Sequence, residues 1–295
     1  MALAMLIFGT LAPFVRLVGV SSGELALYRA VMATVIVGGF LLFTGQKLSF
    51  AKIKKELLLL LFSGAAMGIN WILLFEAYKY TTVSIATLSY YFAPVLVLAL
   101  SPILFREKLT AKKIVCFVMS SAGLVLITGT AGGGRGDLIG IGFGLLAALF
   151  YATVMILNKF IRGAEGLSRT FIQFFGAIVV LLPYVMCTSG FTVLSLSGVG
   201  VTALLFVGIL HTGLAYCLYF SSIKDLPGGE VAILSYIDPM VAVFVSVFFL
   251  DEKMTALQLV GGLLILGFTL YCELPTKKAL PIDLQTQKEN SDEKI

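Results

Sequence analysis

The chain has 295 residues, of which 59% are hydrophobic and 13% charged, with a net charge of +5 and a mean hydropathy of +1.02. A water-soluble domain of this size has too little polar surface to cover so much apolar side chain, so that class is excluded. The positive balance is no nucleic-acid footprint, because the basic residues sit in short loops between apolar stretches; no nucleic-acid partner is expected.

Ten apolar stretches follow one another at roughly 2–20, 23–45, 57–80, 82–105, 111–130, 137–161, 169–190, 199–223, 229–250 and 256–274. Most hold about 20 residues, enough for a helix to cross ~30 Å of hydrocarbon. The expected fold is therefore an all-α integral membrane protein of ten transmembrane helices in a lipid bilayer. The first stretch has neither a basic leader nor a cleavage site, so it reads as a span rather than a secretory signal. The polar tail, 274–295, contains Pro275 and Pro281 and is expected to be disordered. Cys116, Cys187, Cys217 and Cys272 lie in or beside apolar segments without Cys-x-x-Cys spacing. They read as small apolar residues, and no metal site or cofactor is expected.

Lysine and arginine set the expected orientation. Sixteen of them fall in the tail or around the loops after spans 2, 4, 6 and 8, while the opposite loops carry only Lys79, Arg135 and Lys253. Both termini are then cytoplasmic, in what reads as a bacterial plasma membrane.

Tyr91–Thr110 recurs without a gap as Tyr236–Thr255. Tyr-Phe-Ala-Pro, eleven mostly apolar residues and Arg106-Glu107-Lys108-Leu109-Thr110 become Tyr-Ile-Asp-Pro, eleven residues and Asp251-Glu252-Lys253-Met254-Thr255. Five spans per half is an odd number, so the second half enters the membrane upside down. The expected organisation is two inverted five-helix repeats, 1–132 and 133–273. Such plans belong to secondary transporters, with the substrate site between the repeats. No Walker phosphate loop is present, so ATP is not the expected direct energy source.

These features together resemble the drug/metabolite transporter superfamily, and within it the EamA-like bacterial exporters. The matching residues are the proline of each fourth helix with its following Glu-Lys-x-Thr, Phe8-Gly9, Leu27-Tyr28-Arg29-Ala30 and the small residues of span 5. The resemblance covers about residues 2–273. Many relatives carry Trp before the span 1 glycine, where Phe8 stands here. The resemblance implies transport of small solutes and leaves the substrate open.

An ionisable residue deep in a bilayer costs ~2.5–3.5 kcal/mol on insertion scales, so it usually meets a partner or a wet cavity. Asp238 falls near mid-depth before Pro239, where the missing proline N–H disturbs the helix. It could bind an ammonium group or a proton, or be a buried Asp bonded to a neighbouring Tyr or Ser. Its repeat counterpart is Ala93. Arg29, whose counterpart is Gln173, could fork onto a substrate carboxylate or be locked to Glu24 or Glu76. His211, the only histidine, suits a proton relay or a neutral buried hydrogen bond. Glu76 and Lys79 read as an i,i+3 ion pair. Arg16, Lys159 and Glu230 read as span-end residues, and the Asp251-Glu252-Lys253 run as local loop ion pairs.

Asn70, Trp71, Tyr90, Tyr91, Tyr151, Tyr216 and Tyr236 fall at similar depth, where a hydroxyl needs a partner or water. They are expected to share a polar-aromatic cavity, with interhelical bonding the plainer reading. Pro94 and Pro239 are the hinge candidates. Gly64 with Gly68, and Gly136, Gly140 and Gly144, form small-residue ridges for close helix approach. Glycine-rich faces of spans 5 and 10 offer a place for a homodimer contact.

The reading is a secondary transporter, an exporter of amino acids or other small metabolites and drug-like solutes, with proton coupling open. An uptake permease or exchanger is the alternative in the same fold. A membrane receptor is disfavoured by the inverted repeat, and an intramembrane enzyme by one histidine and scattered acids; no enzymatic activity is expected.

Overall fold

The structure, a computed structural model, describes residues 1–45, 50–106, 110–129, 135–164, 166–223 and 226–274. Among these residues there are helices and no strand. Nine helical stretches are long and apolar enough to cross a membrane, and the shorter apolar stretch Ala2–Val18 precedes them, which makes up the ten spans. Helices satisfy their own backbone groups, as hydrocarbon requires.

Span 1 comprises α1 (Ala2–Gly9) and α2 (Leu11–Val18), and spans 2 and 3 are α3 (Ser22–Phe43) and α4 (Phe50–Tyr80). Span 4 comprises α5 (Val83–Tyr90) and α6 (Ala93–Phe105). Then come α7 (Ala111–Gly129), α8 (Arg135–Phe160) and α9 (Gly166–Cys187). Span 8 is α10 (Gly198–Leu205), a π-helical segment over Phe206–Leu214 and α11 (Ala215–Ile223). Span 9 is α12 (Gly228–Ser235) with α13 (Ile237–Phe249), and span 10 is α14 (Ala256–Glu273).

Four spans expected as single helices are thus interrupted. In three of them a proline stands in the first turn of the second piece: Pro13, Pro94 and Pro239. Each lacks the N–H that would return to the carbonyl four residues back, so the helix ends just before it. The fourth interruption, the π segment, contains no proline. α4 begins seven residues before the expected apolar boundary because the Lys54-Lys55-Glu56 stretch continues the helix. At the other starts, Ser21, Thr82 and Ser197 accept a backbone N–H, and Thr255 forms a capping box with Gln258.

The helix contacts survive exchange of the two halves. α3 packs on α9, α5 on α13 and α7 on α14, each a span against its own counterpart. α4 packs on α8 and α9, and span 8 packs correspondingly on spans 1 and 2. Arg106 and Asp251, 145 residues apart, both turn through left-handed backbone, with φ of 53° and 51°. The expected repeat boundary falls within 130–134, outside the described residues, as do Glu107, Lys108, Leu109, Lys47, Lys224 and the tail beyond Leu274.

Gly123 of span 5 and Gly261 of span 10 meet each other within the chain. A Cβ on Gly123 would stand 2.5 Å from the Gly261 carbonyl oxygen, and one on Gly261 would stand 2.5 Å from that of Gly123.

Candidate functional site

A cavity of about 450 Å³ lies between the halves. Nine of the ten predicted site residues line it: Arg29, Asn70, Trp71, Tyr90, Tyr91, Tyr151, Tyr216, Tyr236 and Asp238. Pro94 lines it too, whereas Pro239 does not and is buried at the span 9 break. From mid-depth the lining reaches Asn158, Gly166, Arg169 and Glu273, at the ends of α8, α9 and α14. Lys159, Arg162 and Lys112 lie at this same end, here called the basic end.

Arg29 is 4% exposed, and its Nε donates to the Thr212 hydroxyl at 2.7 Å. Its guanidinium carbon stands 4.3 Å from the Trp71 ring centre and 5.6 Å from that of Phe75. Among the described residues no carboxylate pairs with it, and Nη1 and Nη2 have no hydrogen-bond partner. The two expected structural partners are engaged elsewhere. Glu24 accepts the Thr192 N–H at 2.7 Å, the Thr192 hydroxyl at 2.6 Å and the Tyr28 hydroxyl at 3.1 Å. Glu76 pairs with Lys79 at 2.8 Å. A buried guanidinium that faces a cavity and has no ion-pair partner among the described residues is a fork suited to a carboxylate, phosphate or sulfonate.

Asp238 sits in the first turn of α13, where the helix dipole favours negative charge. Its Oδ2 accepts the Tyr91 hydroxyl at 2.5 Å, which ties the break in span 4 to the break in span 9. Rings furnish much of the remaining wall. Tyr90 stands edge-on to Tyr91 at 5.6 Å and tilted to Tyr151 at 5.2 Å. Tyr216 meets Phe8 at 5.3 Å and Phe174 at 5.5 Å. Asn70 has two roles, since its Nδ2 also donates to the Ala147 carbonyl at 2.6 Å and so ties α4 to α8.

His211 does not line the cavity. Its ring packs 4.9 Å from that of Phe14, with Nδ1 3.1 Å from the Phe206 carbonyl and Nε2 3.2 Å from Thr10 Oγ1. Depth along a span cannot tell which side of a helix a residue faces, and the π segment turns this one towards the break in span 1. Tyr78, Tyr219, Gln173 and Glu273 line the cavity although they were not anticipated. Spacing held a signal for the first two: Asn70, Trp71, Leu74 and Tyr78 follow one helical face, as do Tyr216, Tyr219 and Phe220. No described group of three or more His, Cys, Asp or Glu stands where it could hold a metal ion.

The end opposite the basic one carries a cross-linked layer. Arg16 of α2 pairs with Glu252, after α13, at 2.6 Å, and Arg16 Nη2 donates to the carbonyls of Tyr78 at 3.1 Å and Thr81 at 3.3 Å. Glu252 accepts the Val83 N–H at 2.8 Å and a short bond from the Ser246 hydroxyl. Thr81 donates to Asp137 at 2.8 Å. Arg16 and Glu252 are therefore not the local span-end and loop residues expected; they bind the two halves together. Loop geometry brings them there, through the left-handed turn at Asp251. None of Arg16, Thr81, Asp137 or Glu252 lines the cavity.

The family model of the EamA-like transporters matches residues 1–129 and 138–271. The chain belongs to the EamA-like transporter family. Over 268 residues it is 31% identical to the uncharacterized transporter YxxF of Bacillus subtilis (strain 168), covering 90% of this chain and 85% of that one. Protein PecM of Dickeya dadantii (strain 3937) is 26% identical over 202 residues, covering 66% of each chain. A crystal structure matches with a TM-score of 0.64 at 18% identity over 92% of this chain and 94% of that one, which is a likeness of fold. Members of this family are membrane transporters.

Proposed function

We propose that the protein is a secondary transporter that exports a small zwitterionic solute, an amino acid or a close relative, by alternating access. The observation that carries this reading is the pair of opposite charges lining one cavity: Arg29, whose terminal nitrogens have no hydrogen-bond partner among the described residues, and Asp238, whose partner among them is the Tyr91 hydroxyl. Arg29 takes the carboxylate, Asp238 the ammonium group, and the rings of Trp71, Tyr90 and Tyr216 the apolar remainder. The volume of about 450 Å³ falls within the ~300–1,000 Å³ usual for small-molecule sites.

The basic end is cytoplasmic on this reading, following the positive-inside rule. The cavity then loads from the cytoplasm while the Arg16–Glu252 layer closes the outer end. Opening outwards breaks that ion pair, with the proline breaks of spans 4 and 9 as the flexing points. Alternating access is reversible, so the same site serves uptake or exchange when gradients reverse.

The test is flux in proteoliposomes with labelled amino acids, the amines and acids lacking one of their charged groups, and nucleosides, each with and without a pH gradient. Saturable flux of amino acids above both truncated series is the expected result. Equal flux of amines and amino acids would remove the carboxylate from the reading. Gradient dependence beyond the solute's own leak would add a coupled proton, with Asp238 its first candidate.

A further inference from the structure

The two halves differ by one residue where spans 3 and 8 cross their neighbours. In α4, Gly64 and Gly68 face α9, where a Cβ on Gly68 would stand 3.3 Å from Ala177 Cα. In span 8, Gly208 and Gly213 face α3 in the same way, and a Cβ on Gly213 would stand 2.5 Å from Ile36 Cδ1. The first pair is four residues apart and the second five, so span 8 holds one extra residue between its two anchors. A helix pinned at both ends takes up an extra residue as a π turn, and the π segment spans this interval, Phe206–Leu214. The hydroxyl of Thr212 accordingly donates to the carbonyl five residues back, that of Val207, at 2.8 Å. With its own hydrogen spent there, its oxygen can only accept, and it accepts Arg29 Nε at 2.7 Å.

From this we infer that Thr212 is a positioning residue for anion recognition: the inserted residue in span 8 sets its hydroxyl to hold Arg29 by Nε, over the Trp71 ring, so that Nη1 and Nη2 point into the cavity. The inference rests on Arg29 as the anion subsite. It adds that the subsite is built by the π turn, and that the uninterrupted α4 of the first half builds none. Without the Thr212 oxygen, the guanidinium is free to rotate about its long stem, and the fork is no longer aimed.

Trp71 is the only tryptophan in the chain and lies 4.3 Å from the guanidinium, so its emission reports Arg29 directly. Purified protein in detergent would be compared as wild type, Thr212→Val, Thr212→Ser and Arg29→Gln, first without ligand and then titrated with L-leucine and leucinamide. Thr212→Val should shift Trp71 emission in the absence of ligand. It should also weaken the leucine response by about tenfold or more, the usual weight of a hydrogen bond to a charged group, without changing the leucinamide response. Thr212→Ser should restore both. Unchanged emission and titration in Thr212→Val would overturn the inference while leaving the Arg29 reading intact if Arg29→Gln still loses leucine. Should Arg29→Gln respond as wild type, or wild type prefer neither ligand, the anion subsite itself falls; the ligand-free emission of Thr212→Val still decides whether Thr212 holds Arg29. A loss in Thr212→Val that serine does not repair would mean packing rather than positioning, and would also overturn it.

Discussion

Spans 4 and 9 are built alike and equipped differently. Both break at a tyrosine before a proline, Tyr91 and Tyr236, and both end in a left-handed residue, Arg106 and Asp251. Yet the second carries Asp238 where the first carries Ala93, and Arg29 of span 2 stands where span 7 has Gln173. On the proposed function, backbone features that let two halves exchange shapes are kept in both copies, and charges that meet one asymmetric solute are needed only once. On that reading duplication explains the framework, and departures from duplication mark the chemistry.

Making the copies alike is then the way to test the comparison. Asp238→Ala, which gives span 9 the residue of span 4, should have the largest effect. Flux should fall by about 100-fold, the upper range for removing a charged hydrogen-bonding group, with the folded fraction on size exclusion unchanged. Arg29→Gln, the matching change for span 2, should raise the half-saturating concentration of a carboxylate-bearing solute by about tenfold and leave that of its amine analogue alone. An equal loss for both solutes would assign Arg29 to the packing instead.

Glu252→Gln probes the ion pair that Arg16 makes with it from the other half. A cysteine placed at Leu74, with the four native cysteines replaced, should react a few-fold faster with an impermeant thiol reagent from the outer side, because one charge-assisted closure is lost. No change in rate would show that the ion pair does not govern outer access. The smallest effect belongs to Lys79→Ala, as its side chain is 51% exposed in its pair with Glu76. Such pairs contribute ~0–1 kcal/mol, so thermal stability and flux should both stay near wild type.

Much of this architecture is legible in the chain because periodicity, proline positions and repeat are local features. Ten apolar stretches predict the spans, and mid-depth aromatics predict the cavity wall. What escaped depends on long-range placement. Arg16 and Glu252 are 236 positions apart and look, each in its own neighbourhood, like ordinary helix-end residues. His211 has the right depth and the wrong face, because the π segment shifts the angular register that a regular helix would give. That segment leaves no mark in composition; only the unequal spacing of Gly64–Gly68 and Gly208–Gly213 betrays it.

The mutual contact of Gly123 with Gly261 constrains how this seam can change over generations. Each missing side chain makes room for the other helix's carbonyl, so one outward shift of α14 from α7 would accommodate a methyl group on both. The first replacement bears nearly the whole cost of separating the helices, and the second adds little. The two positions are therefore epistatic, with single substitutions harsher than their combination suggests by addition. A lineage that has lost one glycine is released to lose the other, and a lineage that has lost neither is held to both.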